Sequence, residues 1–163
     1  PYHRDARFVY VTTPAGYLPQ RDGSLPLFYQ HIIEGTFIYD FSLVKNPRND
    51  DRHLFLVQAD VQLGKGEDVA AYAEYLKDMR EFINRHSEYD LFVLDCGDIV
   101  GNALSLFPSY KQTSDVLDVP MYRVIGNHDM EYGVRSYEHS YKTYEECFGP
   151  IYYSLIVEKP IIS

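Results

Sequence analysis

Residues 120–129 read PMYRVIGNHD: an apolar, β-branched run that stops at Gly126-Asn127-His128-Asp129. The run is a strand by composition, and the glycine, amide, imidazole and carboxylate sit where it ends. Working back toward the N-terminus, residues 89–95 (YDLFVLD) form a second apolar run that continues into Cys96-Gly97-Asp98. Residues 53–60 (HLFLVQAD) form another, closed by Asp60. A carboxylate directly after an apolar strand is costly unless it is solvated, hydrogen-bonded or bound to a cation.

The segments between these runs carry helical spacing. Tyr72, Leu76, Met79 and Ile83 fall at i, i+4, i+7 and i+11, one face of a long helix. Asp68 is the expected N-cap, with Arg85 and His86 in the last turn. A second helix is expected within residues 103–117, interrupted or started by Pro108. A third spans about residues 136–147, where Tyr137, Tyr141, Tyr144 and Phe148 form another stripe before Gly149-Pro150. Residues 151–157 (IYYSLIV) read as a fourth strand. Strands alternating with helices argue for an α/β fold with a parallel sheet and right-handed crossovers. In such sheets, sites form outside the carboxyl ends of the strands, where Asp60, Asp98, Asn127 and His128 all lie.

The N-terminal part reads differently. Residues 6–13 and 36–44 look like strands, separated by turn signals at Gly16, Pro19, Gly23 and Pro26. Two strands do not make a stable unit in water, so residues 1–44 read as a β segment: an accessory hairpin, or the tail of an N-terminal β domain. Residues 45–52 (KNPRNDDR) read as a linker or exposed turn.

The chain has 163 residues, 45% of them hydrophobic, enough for a packed core. Its net charge of -9 excludes attraction of nucleic acid through the overall field. No run is long and apolar enough to span a bilayer. Cys96 and Cys147 show neither C-x-x-C nor zinc-type spacing, and Cys96, in an apolar strand, is expected to be a buried free thiol. Sixteen Tyr, nine Phe and no Trp make an unusual aromatic set, for which amphipathic packing is the plain explanation.

Taken singly, each polar residue has an ordinary explanation. Asp60 and Asp98 are turn formers, Asn127 suits a left-handed turn, and His128 alone is more often structural. Gathered at adjacent strand ends they form one oxygen- and nitrogen-donor set of the kind that binds Mg, Mn, Zn or Fe. Gly97 and Gly126 let the backbone turn sharply and approach a ligand.

These motifs resemble the calcineurin-like metallophosphoesterase family, whose pattern is D-x-H, G-D-x-x-D, G-N-H-D/E, a lone His and G-H-x-H. Asp60-Val61-Gln62 falls at the first motif, Gly97–Asn102 at the second, and Gly126-Asn127-His128-Asp129 matches the third in full. The resemblance implies a metallophosphoesterase-like β-sandwich core flanked by helices, with residues 53–163 forming its N-terminal βαβαβ half. It implies two divalent ions (Mn, Mg, Zn or Fe), about 3.5–4 Å apart, that activate a hydroxide for attack on a phosphate-ester small molecule. Asp60 and Gln62 would bind the first metal, Asp98 would bridge, and Asn127 would bind the second. His128 would act as acid or electrostatic catalyst, oriented by Asp129. Gln62 stands where the family has His. Gly101 stands where it has Asp, with Asn102 beside it as a possible substitute. No G-H-x-H occurs before Ser163, so the chain looks like an N-terminal fragment, poorly active by itself, with an open apolar face that favours self-association. A catalytically weak binding or structural module on the same fold is the alternative. The Asp-x-Gln variant and the preceding β segment resemble a bacterial subgroup with an N-terminal β domain, which implies a periplasmic or extracellular location.

Overall fold

The computed structural model describes residues 6–48 and 51–156. Its centre is a parallel sheet of β1 (His53–Gln58), β2 (Asp90–Asp95) and β3 (Met121–Arg123), in the order β1-β2-β3. Three helices follow the strands in turn: α1 (Gly66–Arg85), α2 (Phe107–Ser114) and α3 (Lys142–Phe148). The molecule is an α/β protein.

The α1 stripe forms as its spacing predicts, with Tyr72, Leu76, Met79 and Ile83 all buried. Its start differs. Asp68 lies inside the first turn, and its carboxylate accepts from the N–H groups of Gly64 (2.9 Å) and Lys65 (3.0 Å). A carboxylate there satisfies amides that have no partner within the helix. Pro108 lies in the first turn of α2, where the missing N–H costs nothing. The third helix is shorter than its tyrosine spacing suggests. Residues 137–139 form a separate 3-10 turn with Tyr137 and His139 exposed, while Tyr141, Tyr144 and Phe148 are buried.

Residues 151–156 form no strand, and Val157 lies outside the described residues. The hydroxyl of Tyr153 donates to the carbonyl of Arg123 (2.8 Å), so a side chain takes an acceptor at the end of β3. Residues 36–42 likewise form no strand; of residues 36–45 only Leu43–Lys45 pair, with Tyr17–Pro19. Here the Ile33 N–H donates to Tyr39 Oη (2.8 Å) and Gln30 Nε2 to the Asp40 carbonyl (2.6 Å), local bonds that compete with a ladder. Two more short antiparallel pairs, Phe8–Tyr10 with Tyr29–His31 and Arg21–Asp22 with Leu25–Pro26, complete the N-terminal segment.

This segment is joined closely to the sheet. The Met121 N–H donates to the Ser24 carbonyl (2.8 Å), and the Ser24 N–H donates to Asp115 Oδ1 (2.7 Å). The fully buried Arg123 reaches Ser24 Oγ (2.7 Å) and Ser114 Oγ (2.8 Å) through Nη2. Asn46, in the stretch that reads as a linker, is buried and donates to Asp90 Oδ2 (2.9 Å).

Strand register sorts the sheet into two faces. Leu54, Leu56, Leu91, Val93 and Met121 pack in the core formed with α1 and α2. Phe55, Val57, Phe92 and Tyr122 point the other way. Phe28 and Tyr153 cover that face near β3, with ring centroids 6.0 Å and 6.3 Å from Tyr122. Near β1 it is open: Phe55 is 54% and Val57 55% exposed. The facing sheet of a sandwich is not among the described residues. Cys96 is exposed rather than buried, because strand alternation turns Asp95 inward and leaves the next residue outside as the chain leaves β2.

Candidate metal and phosphate site at the strand ends

The parallel pairing of β1 and β2 continues past the strands into their loops. The Cys96 N–H donates to Gln58 O (2.9 Å), Asp60 N–H to Gly97 O (3.0 Å), Gln62 N–H to Asp98 O (2.9 Å) and Leu63 N–H to Ile99 O (3.1 Å). These bonds hold Asp60 and Gln62 alongside Asp98. Gly97, with φ +90°, lies so close to the third loop that an added Cβ would come within 2.6 Å of the Gly126 nitrogen. A Cβ on Gly126 would run into the Asp98 carboxylate. Glycine is therefore required at both places by close approach, and at Gly97 by its positive φ as well.

The third loop is tied to the second through polar atoms. Asp98 Oδ1 accepts from the His128 N–H (2.9 Å). Asn102 N–H donates to His128 O (3.2 Å), and Asn102 Oδ1 lies 3.0 Å from His128 Nδ1. Asp129 is buried and accepts from the N–H groups of Val100 (3.0 Å) and Gly126 (2.9 Å). Burial pushes the Asp129 carboxyl up, against the pull of those amides. Asp129 therefore locks the turn, and the ring partner of His128 is Asn102. The resemblance had given the orienting task to Asp129. The 3-10 turn at Asn127–Asp129 instead turns that carboxylate inward, toward backbone amides.

Asp60, Gln62, Asn102 and Asn127 are exposed, and Asp98 and His128 are half-buried. Gln62 Nε2 lies 3.4 Å from Asp60 Oδ1. Asp60, Gln62, Asp98 and Asn102 have φ of 55°, 50°, 52° and 68°. Non-glycine residues in the left-handed region are uncommon, and Gln is poorly suited to it. Such strained conformations gather at ligand-binding sites. Here they aim four polar side chains at one sheet end.

Beneath the loops lies a buried polar cluster that the motif reading missed. Asp95 Oδ2 accepts from Gln58 Nε2 (2.7 Å) and from the Tyr110 hydroxyl, and Asp95 Oδ1 accepts from the Gly97 N–H (3.2 Å). Gln58 Nε2 also lies within reach of the Tyr72 and Tyr110 hydroxyls (3.1 and 3.0 Å). Desolvation raises the Asp95 pKa, while the bonds from Tyr110 and Gln58 and the charge of Arg123 oppose it. The cluster joins the last residue of β1 to the last residue of β2, just before both acid-bearing turns. Strand alternation held the signal: Gln58, Asp95 and Arg123 are in register on the inward face.

Asp60, Gln62, Asp98 and Asn127 form an oxygen donor set of two carboxylates and two amides. Oxygen donors suit a hard divalent cation such as Mg or Mn better than Zn. By the chemistry of its donors the set suits such an ion, while among the described residues no three His, Cys, Asp or Glu side chains form a ready cation cluster.

The sequence profile of the calcineurin-like phosphoesterase family matches residues 53–163. No curated protein matches the chain. Among solved structures, a purple acid phosphatase from yellow lupin (Lupinus luteus) seeds is 16% identical with a TM-score of 0.36, covering 63% of this chain and 20% of that one. The chain thus spans about a fifth of that protein's length. The profile match takes in all three strand ends and the loops that carry Asp60, Asp98 and Gly126-Asn127-His128-Asp129, and on it the chain belongs to the calcineurin-like phosphoesterase family, a family of metal-dependent phosphoester hydrolases.

Proposed function

We propose that the chain contributes the N-terminal half of a two-metal phosphoesterase site that cleaves a phosphate ester of a small molecule. The observation that carries this reading is the lacing of the three strand ends, which brings the loops of Asp60, Gln62, Asp98 and His128 together at one end of the sheet. Asp60 and Gln62 would hold one cation, Asp98 would bridge to a second, and Asn127 would complete the second through its amide oxygen. Bound divalent ions supply Lewis acidity at the phosphoryl group.

The remaining work falls to the chain's own residues. Asp98 fixes the His128 backbone through Oδ1. Asn102 holds the ring at Nδ1, so Nε2 is the nitrogen left to protonate, or hydrogen-bond to, the departing oxygen. Asn102 is a positioning residue here. His128→Ala should lower kcat about 10²- to 10⁴-fold, and Asn102→Ala about 10- to 100-fold, in the range of lost orienting contacts. Asn102→Asp, which keeps an oxygen acceptor, should recover most of that loss. Equal rates for Asn102→Ala and the unaltered protein would sink the positioning role.

The whole reading is tested by offering the protein p-nitrophenyl phosphate with Mn, Mg, Zn or Fe in turn. Hydrolysis that stops with chelator and returns with metal is expected. A second reading, a binding or structural module on the same fold, draws on Gln62, Gly101 and the lack of a three-ligand acid or imidazole cluster among the described residues. Metal-independent folding with no hydrolysis under any of these ions favours it.

A further inference from the structure

Asp60 and Gln62 line a cavity of about 530 Å³, together with Gln58 of β1 and Asp68, Tyr72 and Tyr75 of α1. The size falls within the range of small-molecule sites, about 300–1,000 Å³. Two properties of its lining restrict what it can hold.

The first is a row of stacked tyrosines. Tyr110, in the core, stacks on Tyr72 with centroids 5.2 Å apart and planes at 17°. Tyr72 stacks on Tyr75 at 6.2 Å and 29°. The inner ring is fully buried, and Tyr72 is held by its hydroxyl against Gln58. Tyr75, the outermost, is 48% exposed and lines the cavity. An exposed tyrosine backed by two fixed rings offers a flat apolar surface whose own ordering cost is already met by folding.

The second is charge. No Lys, Arg or His lines the cavity, whereas Asp60 and Asp68 do. Toward α1, away from the cation that Asp60 and Gln62 would hold, the charged lining side chain is Asp68, so a second anionic group placed there would meet a carboxylate and no side-chain cation.

We infer that this cavity is the subsite for the alcohol portion of the ester, and that this portion carries an uncharged aromatic ring, stacked on Tyr75, and no second anion. This rests on the phosphoesterase reading only for placing the phosphate beside Asp60; the stacking surface exists without it.

The test separates the two. Hydrolysis of benzyl phosphate is compared with that of ethyl phosphate, so that neither leaving group is a phenol, and adenosine 5′-monophosphate is added as a nucleoside source of the ring. The ratio of kcat/KM for ring-bearing over ring-free ester should fall about fivefold to tenfold in Tyr75→Ala and be kept in Tyr75→Phe. Comparing ratios between variants cancels the chemistry of the leaving groups. Whichever ring-bearing ester shows the larger Tyr75-dependent ratio identifies the source. Binding of benzyl alcohol and adenosine to metal-free protein is followed in parallel by shifts of the tyrosine ring NMR signals. Binding that is lost in Tyr75→Ala supports the subsite even if no ester is hydrolysed, in which case only the phosphoesterase reading fails. A ratio that is the same in Tyr75→Ala as in the unaltered protein, or, if no ester turns over, the absence of Tyr75-dependent binding, overturns the subsite.

Discussion

Asp98→Asn is expected to reduce metal-dependent phosphoester hydrolysis by at least about 10²- to 10³-fold, the cost of removing a single preorganised polar group at a reacting centre. The substitution is nearly isosteric, so its effect isolates charge. Asp98 has two tasks that a neutral amide performs badly. Its Oδ1 accepts the His128 N–H and so sets the height of the third loop. The same carboxylate would bridge the two cations, and it supplies half of the negative charge in a donor set whose other members are Asp60 and two neutral amides. Calorimetric titration with Mn should show affinity falling together with rate. An unchanged Mn affinity in Asp98→Asn would remove Asp98 from the ligand set, whatever the rate does. Gly126→Ala offers a steric counterpart, because the added Cβ would occupy the space of the same carboxylate.

Arg123→Ala is expected to destabilise the fold by about 3–5 kcal/mol, the range for leaving a buried charge uncompensated. Arg123 is fully buried and carries several contacts at once. It donates to the Met121 carbonyl (3.1 Å) and to the hydroxyls of Ser24 and Ser114, and it lies over the rings of Tyr110 (5.5 Å) and Phe148 (5.3 Å). Its charge also offsets that of buried Asp95, whose carboxyl is already pushed up by desolvation. Removing it leaves Asp95 without the cation that offsets it, the Ser24 and Ser114 hydroxyls without the guanidinium they share, and a cavity against two aromatic rings. The loss also loosens residues 21–28, which reach β3 through Ser24. Urea denaturation followed by tyrosine fluorescence gives the number. A loss under about 1 kcal/mol would mean that the cluster relaxes at little cost. Arg123→Lys should fall between the two, since an ammonium keeps the charge but cannot donate in the same fork.

The parts legible in the sequence are those that depend on period and order. Apolar runs ending in Asp60, Asp98 and Gly126-Asn127-His128-Asp129 gave the parallel sheet and the end at which these candidate residues gather. The spacing of Tyr72, Leu76, Met79 and Ile83 gave α1 and its inward face. Expectations failed where a local bond outweighs composition. Residues 36–42 are rich in strand formers, yet Tyr39 and Gln30 bond the nearby backbone instead. Residues 151–156 are equally strand-like, yet Tyr153 turns its hydroxyl onto Arg123. β propensity favours a half-buried pleated surface, and such a surface forms only if a partner strand is there to pair.

Residues 120–129 show the same division at the site. By itself it determined a strand, a sharp glycine turn and a candidate donor set of Asn127, His128 and Asp129. Only the tertiary structure decided how the last two are used. His128 takes its ring partner from Asn102, 26 residues away, and its backbone partner from Asp98, 30 residues away. Asp129 spends its carboxylate on the amides of Val100 and Gly126. The physical reason is that strand pattern is written in neighbouring residues, whereas the direction of a loop side chain is set by backbone angles. Here four residues, Asp60, Gln62, Asp98 and Asn102, hold left-handed angles because adjoining loops brace one another.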